Sequence, residues 1–440
     1  MKLLALRRWS ELDAAEQARI MGRYTYKIFD PDLMASIGRI FDDVAARGDA
    51  AVSDATEKFD GVRIPPEKLL VTQAEIDEAH ASLDPKVLDA IRVGIESVAA
   101  FNRAQVAASP DWRTEIRPGV EVGERSLPIA SAALFVPCGK GSFPSVLVQI
   151  GTPAVVAGVR DLIVLVPPLP GTDRVDPAVL AVARELGLTK VLRGNGPAVV
   201  AAAAIGTESV KPVRKIVGPG SPAVTAAQIL AGLRGVATNL LCGPSESLLI
   251  ADDSADPVRL AADLLNEAEH GPDSAATLVT DSAALAEAVD AEAARQVEAL
   301  PEPRRSYATS SVTVMGGVLL FDTMDDAVDF AGDYAPEHLQ IATRDVEASL
   351  ARLRYAGEIL LGQDTPISVA NFCLGVPATL PTGGFAKVSG GVTARTFRTD
   401  ASIGKMTPEG LASLAPATLA LSDHEGFPAH SASLRIRGLG

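Results

Sequence analysis

Cysteine is scarce: the 440 residues hold three, Cys138, Cys242 and Cys373. An odd number at wide spacing builds no disulfide framework, and there is no Cys-x-x-Cys metal motif. Aromatic residues are 4% of the chain, so the core has to come mostly from Ala, Val, Leu and Ile within a 47% hydrophobic share. Basic charge is also short. Lys and Arg number 40 against 55 Asp and Glu, a formal charge of −15, which argues against nucleic acid or an anionic membrane surface as partner. Long apolar runs are missing. Residues 197–206 are Ala-rich but far below the roughly 20 residues a membrane helix needs. Residues 1–24 offer only the apolar stretch 3–6 before Arg7 and Arg8, which is no secretory signal core. A cytoplasmic location is the default expectation.

What is present is a strand-then-helix rhythm. Residues 162–166 form a β-branched run closed by Pro167 and Pro168, as expected of a strand buried on both faces. Asp176 and Pro177 then open a helix. Short strands at 190–192 and 215–217 each lead through a glycine-rich turn into a helix. The pattern resumes with strands at 247–251, 276–280, 318–321 and 341–343 and helices between them, and 237–241 reads as a further possible strand. Such alternation predicts parallel sheets covered by helices on both faces. The reading is two Rossmann-like three-layer α/β domains. A helical N-terminal arm (1–32) precedes a discontinuous first domain (33–135 with 247–392), a second domain (136–246) is inserted in it, and a helical tail (393–440) follows.

Five histidines are few enough for their surroundings to matter. Glu267 and His270 are three residues apart near the end of an amphipathic helix and project from one face. Glu-x-x-His can bring a carboxylate and an imidazole to one metal ion; it also suits an ordinary solvated helix end. Glu337 and His338 follow Pro336, an adjacent acid and base suited to proton transfer near neutral pH, or simply a turn before a new element. Glu425 and His430 can contact a ligand from the tail or lie in an exposed loop. His80 has no assigned role. Gly243-Pro-Ser-Glu246 can present Ser245 to a ligand but lacks the Gly-x-Ser-x-Gly of a nucleophile elbow. The turns at 194–196 and 218–220 can bring backbone amides near a phosphate, without the spaced dinucleotide fingerprint.

Taken together, Val136-Pro137 with Gly139, Gly206-Thr-Glu-Ser209, Lys215-Ile with Gly218-Pro-Gly220, Gly243-Pro-Ser-Glu246, Ala268-Glu-His-Gly-Pro-Asp-Ser274, Pro336-Glu-His-Leu339, Leu380-Pro-Thr382 and Ala429-His430 resemble the histidinol dehydrogenase family, in its order, over roughly residues 30–435. The resemblance implies a zinc enzyme that uses two NAD molecules in turn, taking an alcohol through an aldehyde to a carboxylate. It places the metal ligands at Glu267, His270, Asn371 and His430, with His430 supplied by the partner subunit of an intertwined homodimer. Glu337 resembles the residue that activates water in the aldehyde step, and His338 the general base. Ser245 and Glu425 match substrate-contacting positions.

The departures lie at the ligands. The family usually has Gln at 267 and Asp at 371, so carboxylate and amide have changed places with the charge at the metal conserved. Around NAD, where Tyr, Gln and Asn are common, this chain has Phe135, Pro197 and Ser221. Ala378 stands where the biosynthetic enzymes usually carry His, so histidinol should fit poorly. An unpaired buried polar group costs about 1–3 kcal/mol. The stretch 382–385 with Lys387 and Arg395 is similar to relatives that oxidise other small polar alcohols, including sulfonated diols. The expectation is a diverged, NAD- and zinc-dependent alcohol dehydrogenase. The alternative is a non-redox zinc enzyme, such as a lyase, hydrolase or epimerase, on the same scaffold; a binding protein without activity comes third.

Overall fold

The computed structural model describes residues 2–23, 30–138, 141–238 and 243–439. Its strands in chain order are β1 (Leu6–Arg8), β2 (Trp112–Arg117), β3 (Val120–Pro128), β4 (Ser131–Phe135), β5 (Asp161–Val166), β6 (Val191–Arg193), β7 (Lys215–Val217), β8 (Ala237–Thr238), β9 (Glu246–Ala251), β10 (Ala275–Thr280), β11 (Gly317–Leu320), β12 (His338–Ala342), β13 (Glu358–Leu361) and β14 (Arg398–Met406). Two sheets are wholly parallel, ordered β6-β5-β4-β7-β8 and β1-β11-β10-β9-β12-β13. A third, β14-β3-β2, is antiparallel. The two α/β units follow from the sequence as expected: β9, β10 and β12 are buried along their whole length. Helices restart at Asp-Pro steps, where the carboxylates of Asp30, Asp84, Asp176 and Asp256 accept from backbone N–H groups of the first turn. Such a cap is worth about 1 kcal/mol.

Three expectations change. Residues 33–135 do not join the unit that carries Glu337. Ile37, Phe41 and Val44 pack with Ala133, Leu165 and Ile216, and Ile76, Ile91 and Val98 pack with Leu134 and Val164. These helices therefore cover both faces of the five-stranded sheet, and β4 is its central strand. The N-terminal arm is not all helical, because β1 extends the six-stranded sheet beside β11. The tail is not all helical either: β14 runs antiparallel along β3 before the helices Pro408–His424 and Pro428–Arg435. The possible strand 237–241 is present at 237–238, and its remainder lies outside the described residues.

Side chains alternate along a strand, so the register Glu358↔His338↔Ser247 sets three polar residues in one row. Leu249, Ala342 and Leu360 share their face and pack with Leu264, Ile367 and Ala370. The row therefore faces the helices Pro257–Ala268 and Ile367–Phe372, at the amino ends of the strands. Ligands of open α/β sheets usually bind at the carboxyl ends. Here the residues of interest sit at the opposite edge, where the helix after β9 has run back antiparallel and its last turn reaches the strand starts.

Candidate active site

Pro336 and Ala335 aim the acid–base pair. Ala335 ends the helix Met324–Tyr334 in the left-handed region at φ 49°, a cost of order 1 kcal/mol for a residue with a Cβ. The turn sends Glu337 and His338 into the start of β12. Both are buried. Glu337 Oε2 accepts from the backbone N–H of Glu246 at 2.9 Å, and Glu337 Oε1 is 3.8 Å from His338 Nε2. His338 Nδ1 pairs with Glu358 Oε1 across the strands. The approach is close because residue 357 is glycine: a Cβ there would be 2.4 Å from Glu337 O.

Burial pushes the Glu337 carboxyl up to about 8, opposed by His338 and reinforced by Glu267 and Glu246. Burial alone would lower His338, but the carboxylates of Glu267, Glu337 and Glu358 outweigh it and push the imidazole up to about 10. Glu246 is buried too, and burial raises its carboxyl against the opposing charge of Arg23. Glu246 Oε1 accepts from Gly383 N at 2.7 Å and lies 3.4 Å from Arg23 Nε. Arg23 stacks on the Tyr334 ring at 3.5 Å and donates to Tyr334 O. The end of the N-terminal arm thus braces the floor of the site. Ordinary acid–base chemistry needs groups whose charge states are set apart by their surroundings, and the Glu337–His338 pair has that property.

Beside this pair lie three of the residues expected to hold metal. Glu267 is buried in the last turn of Pro257–Ala268. Its Oε1 accepts from Asn371 Nδ2 at 3.0 Å and Asn266 Nδ2 at 3.1 Å, and its Oε2 lies 3.6 Å from His270 Nδ1. Burial opposes its charge, but His270, His338 and the two amides outweigh that and hold Glu267 below the usual carboxylate range. An ionised carboxylate, an amide oxygen and an imidazole in one cluster suit a borderline cation such as zinc. Asn371, on Ile367–Phe372, touches Glu267, so the two positions expected to have exchanged chemical type face each other. Among the described residues no three His, Cys, Asp or Glu side chains gather as a metal cluster: the third group here is an amide. His430 and Glu425 are on the exposed tail, His430 packed on Phe427 at 5.2 Å between ring centroids. The helix Pro408–His424 packs on β14 and on Pro428–Arg435.

Ser245 is half-buried directly before β9, and its carbonyl accepts from Ala275 N at 3.0 Å. Thr382 Oγ1 accepts from Gly243 N at 2.5 Å, tying the 382–385 stretch to the same loop. Ala378 N donates to Gln149 Oε1 at 3.3 Å, while the buried Gln149 Nε2 has no hydrogen-bond partner. Ala378 thus marks a seam between the loop after Ile367–Phe372 and the helix Pro144–Ala157 of the other unit. Arg395 does not turn to the site; it bonds Gln105 on the helix Pro85–Ala107 and Ser109 just after that helix. Lys387 is exposed.

Phe135, Pro197 and Ser221 meet at the carboxyl edge of the five-stranded sheet, where β4 and β7 mark the reversal of strand order. Dinucleotides bind at such a crevice. Phe135 fills it. The ring is 1% exposed, with Gly196 and Gly220 against it. A Cβ on Gly218 would be 2.1 Å from Phe135 O, and one on Gly220 would be 2.4 Å from Val224 Cγ1. These glycines admit the protein's own atoms, not an open phosphate cradle. The Ser221 hydroxyl accepts from Val224 N at 3.4 Å as a helix cap. Side-chain groups at these three positions therefore do not fit an NAD held as the resemblance implies.

Three functional candidates escaped the sequence. Glu246 was in view only as the neighbour of Ser245, and Arg23 sits in no motif. Glu358 had one weak signal, a lone carboxylate at the start of the apolar run 359–361.

Comparison with known proteins gives the family. The family model described as histidinol dehydrogenase matches residues 26–438. A "Histidinol dehydrogenase homolog" of Colwellia psychrerythraea is 40% identical, covering 97% of this chain and 95% of that one. A protein of the same description from Cereibacter sphaeroides is 41% identical over 96% and 95%, and a "Histidinol dehydrogenase" of Synechocystis sp. is 39% identical over 92% of each. The crystal structure of histidinol dehydrogenase from Elizabethkingia anophelis superposes with a TM-score of 0.93 at 28% identity, covering 99% of this chain and 98% of that one. The chain belongs to the histidinol dehydrogenase family.

Proposed function

We propose that the protein is a dehydrogenase of a small polar alcohol other than histidinol, and that the buried Glu337–His338 pair beside Glu267, His270 and Asn371 is its centre. That juxtaposition is the observation that carries the reading. His338 in its neutral form takes the proton of the alcohol hydroxyl at Nε2, a capacity it gains as pH rises toward about 10 in the metal-free protein. Glu337, anchored by the Glu246 N–H, handles the proton of water in an aldehyde-oxidising step and gains that capacity as pH rises through about 8. Glu267, His270 and Asn371, with His430 of the partner subunit, would hold a zinc ion. When bound it supplies a Lewis acid for the substrate oxygen. Ser245 and Glu425 contact the substrate, and a methyl group at Ala378 in place of an imidazole disfavours histidinol. Assembly as a homodimer is supported by the projecting tail, which leaves Met406, Leu421, Phe427 and Ile436 exposed. No helix among the described residues is long and apolar enough to cross a membrane.

NAD is the hydride acceptor that family membership suggests, and the filled crevice at Phe135 weighs against it. That observation favours a second reading: a zinc enzyme without hydride transfer, in which Glu337 and His338 perform proton chemistry alone. One experiment separates them. Zinc-loaded protein is screened with NAD against small polar alcohols, following NADH, together with thermal unfolding at millimolar NAD. NADH formation that vanishes in His338→Gln supports the dehydrogenase. No NADH with any alcohol, and no NAD-dependent shift beside a clear zinc-dependent one, supports the non-redox reading.

A further inference from the structure

We propose that Glu358 is a positioning residue for His338: it fixes the imidazole with a proton on Nδ1 and leaves Nε2 as the atom that accepts the substrate's proton. The proposal rests on the reading of His338 as the base. It goes beyond it by naming what sets that base's tautomer and direction.

Glu358 and His338 are register partners on β13 and β12, so their side chains leave the sheet on the same face. They are 7% and 3% exposed. Glu358 Oε1 sits on Nδ1. Nε2 points the other way, to within 3.8 Å of Glu337 Oε1. With Glu358 Oε1 as the acceptor, the hydrogen in the Nδ1 contact belongs to the ring. Once the ring is neutral, which the surrounding carboxylates delay to about pH 10 in the metal-free protein, it is the Nδ1–H tautomer, with its lone pair on Nε2 on the side of Glu337. The geometry is braced from behind: Glu358 N donates to Glu337 O at 3.0 Å and Gly357 N to Pro336 O at 2.8 Å. These bonds hold the start of β13 against the residues that precede the base.

The second oxygen, Oε2, is buried without a hydrogen-bond partner. A buried carboxylate so poorly served is costly in itself; its one strong contact is the imidazole. Glu358 is thus ill-suited to a purely structural part and well-suited to stabilising a charge that appears on the ring. When the substrate O–H bond breaks and the N–H bond forms at Nε2, the ring becomes a cation. The Nδ1–H···Oε1 contact becomes charge-assisted. A neutral residue at 358 leaves both tautomers open and lets the ring turn.

The test needs no known substrate. Protein labelled with 15N-histidine carries five imidazoles, and the His338 signals are identified by their loss in His338→Asn. In wild-type protein, loaded with zinc or treated with chelator, His338 should show Nδ1 protonated, with a strongly deshielded proton. In Glu358→Gln that proton should move upfield or vanish, and the ring should take up protons at least tenfold more weakly. Once a substrate is known, Glu358→Gln should lower kcat tenfold or more with KM within about twofold, and shift the acid limb of the rate profile to lower pH. A neutral His338 ring, read above about pH 10 in the metal-free protein, that carries its proton on Nε2 in the wild type overturns the proposal even if Glu358→Gln fails to fold. So does an unchanged tautomer in Glu358→Gln, or a changed tautomer with unchanged kcat. A protein that oxidises no alcohol would remove the dehydrogenase reading and leave the tautomer result standing.

Discussion

The pairing of Glu267 with Asn371 makes a quantitative prediction. Asn371 Nδ2 is 3.0 Å from Glu267 Oε1, and Asn371→Asp puts an anionic oxygen where that donor was. Two unit charges 3.0 Å apart repel by about 5 kcal/mol at an effective dielectric near 20. The pair can escape by taking up a proton, which at pH 7 costs a carboxyl of ordinary acidity about 4 kcal/mol. The penalty for metal-free Asn371→Asp is therefore about 4 kcal/mol, roughly an 8 °C fall in Tm at about 2 °C per kcal/mol for a large domain. Adding Glu267→Gln restores one donor and one anion and should recover all but about 1 kcal/mol. Zinc should reverse the ranking in part, because it neutralises the added charge. The assay is thermal unfolding of the wild type, both single variants and the double, with chelator and with zinc, read as a double-mutant cycle. The reasoning fails if chelated Asn371→Asp melts with the wild type, or if the double variant is no more stable than Asn371→Asp alone.

Glu337 has its folded value raised from 4.5 to about 8, so its protonated form favours folding. That contribution is complete below pH 4.5 and is lost as pH rises through about 8, a few kcal/mol in all. Metal-free Glu337→Gln should gain stability on the wild type across that window in denaturant titrations, and equal pH slopes would contradict this. Gly357→Ala forces a Cβ to 2.4 Å from Glu337 O and should cost about 1–3 kcal/mol with loss of activity; a variant with wild-type Tm and kcat would show the spacing is slack. Phe135→Tyr should give or strengthen an NAD-dependent rise in Tm, and no change would remove the crevice from consideration. His338→Ala and His430→Ala should each be inactive yet regain activity when mixed and refolded together, because one hybrid site is intact. Failure to complement would place His430 outside the partner's site.

Legibility in the sequence divides along physical lines. The βα units could be read because β5, β9 and β10 are apolar runs and the helices after β5 and β9 begin with Asp-Pro caps, both local signals. The antiparallel sheet could not. Every residue of β2 is exposed, and β14 is half-buried at best, so neither shows the alternation that a buried face imposes. Which sheet the helices of residues 31–107 cover is a tertiary matter, and their amphipathic faces fit either. At the site, Glu267, His270, Glu337 and His338 stood out as pairs close in sequence. Glu358 and Arg23 reach the same place from 20 residues downstream of His338 and from the N-terminal arm. Register and chain path decide that, not spacing.

The central claim is a divalent-cation site beside the Glu337–His338 pair, and diffraction at the zinc absorption edge from zinc-loaded crystals tests it most directly. The account predicts an anomalous peak at bonding distance from Glu267, His270 and Asn371, closed by His430 of the partner subunit. Strong zinc peaks elsewhere and none at Glu267 would contradict it.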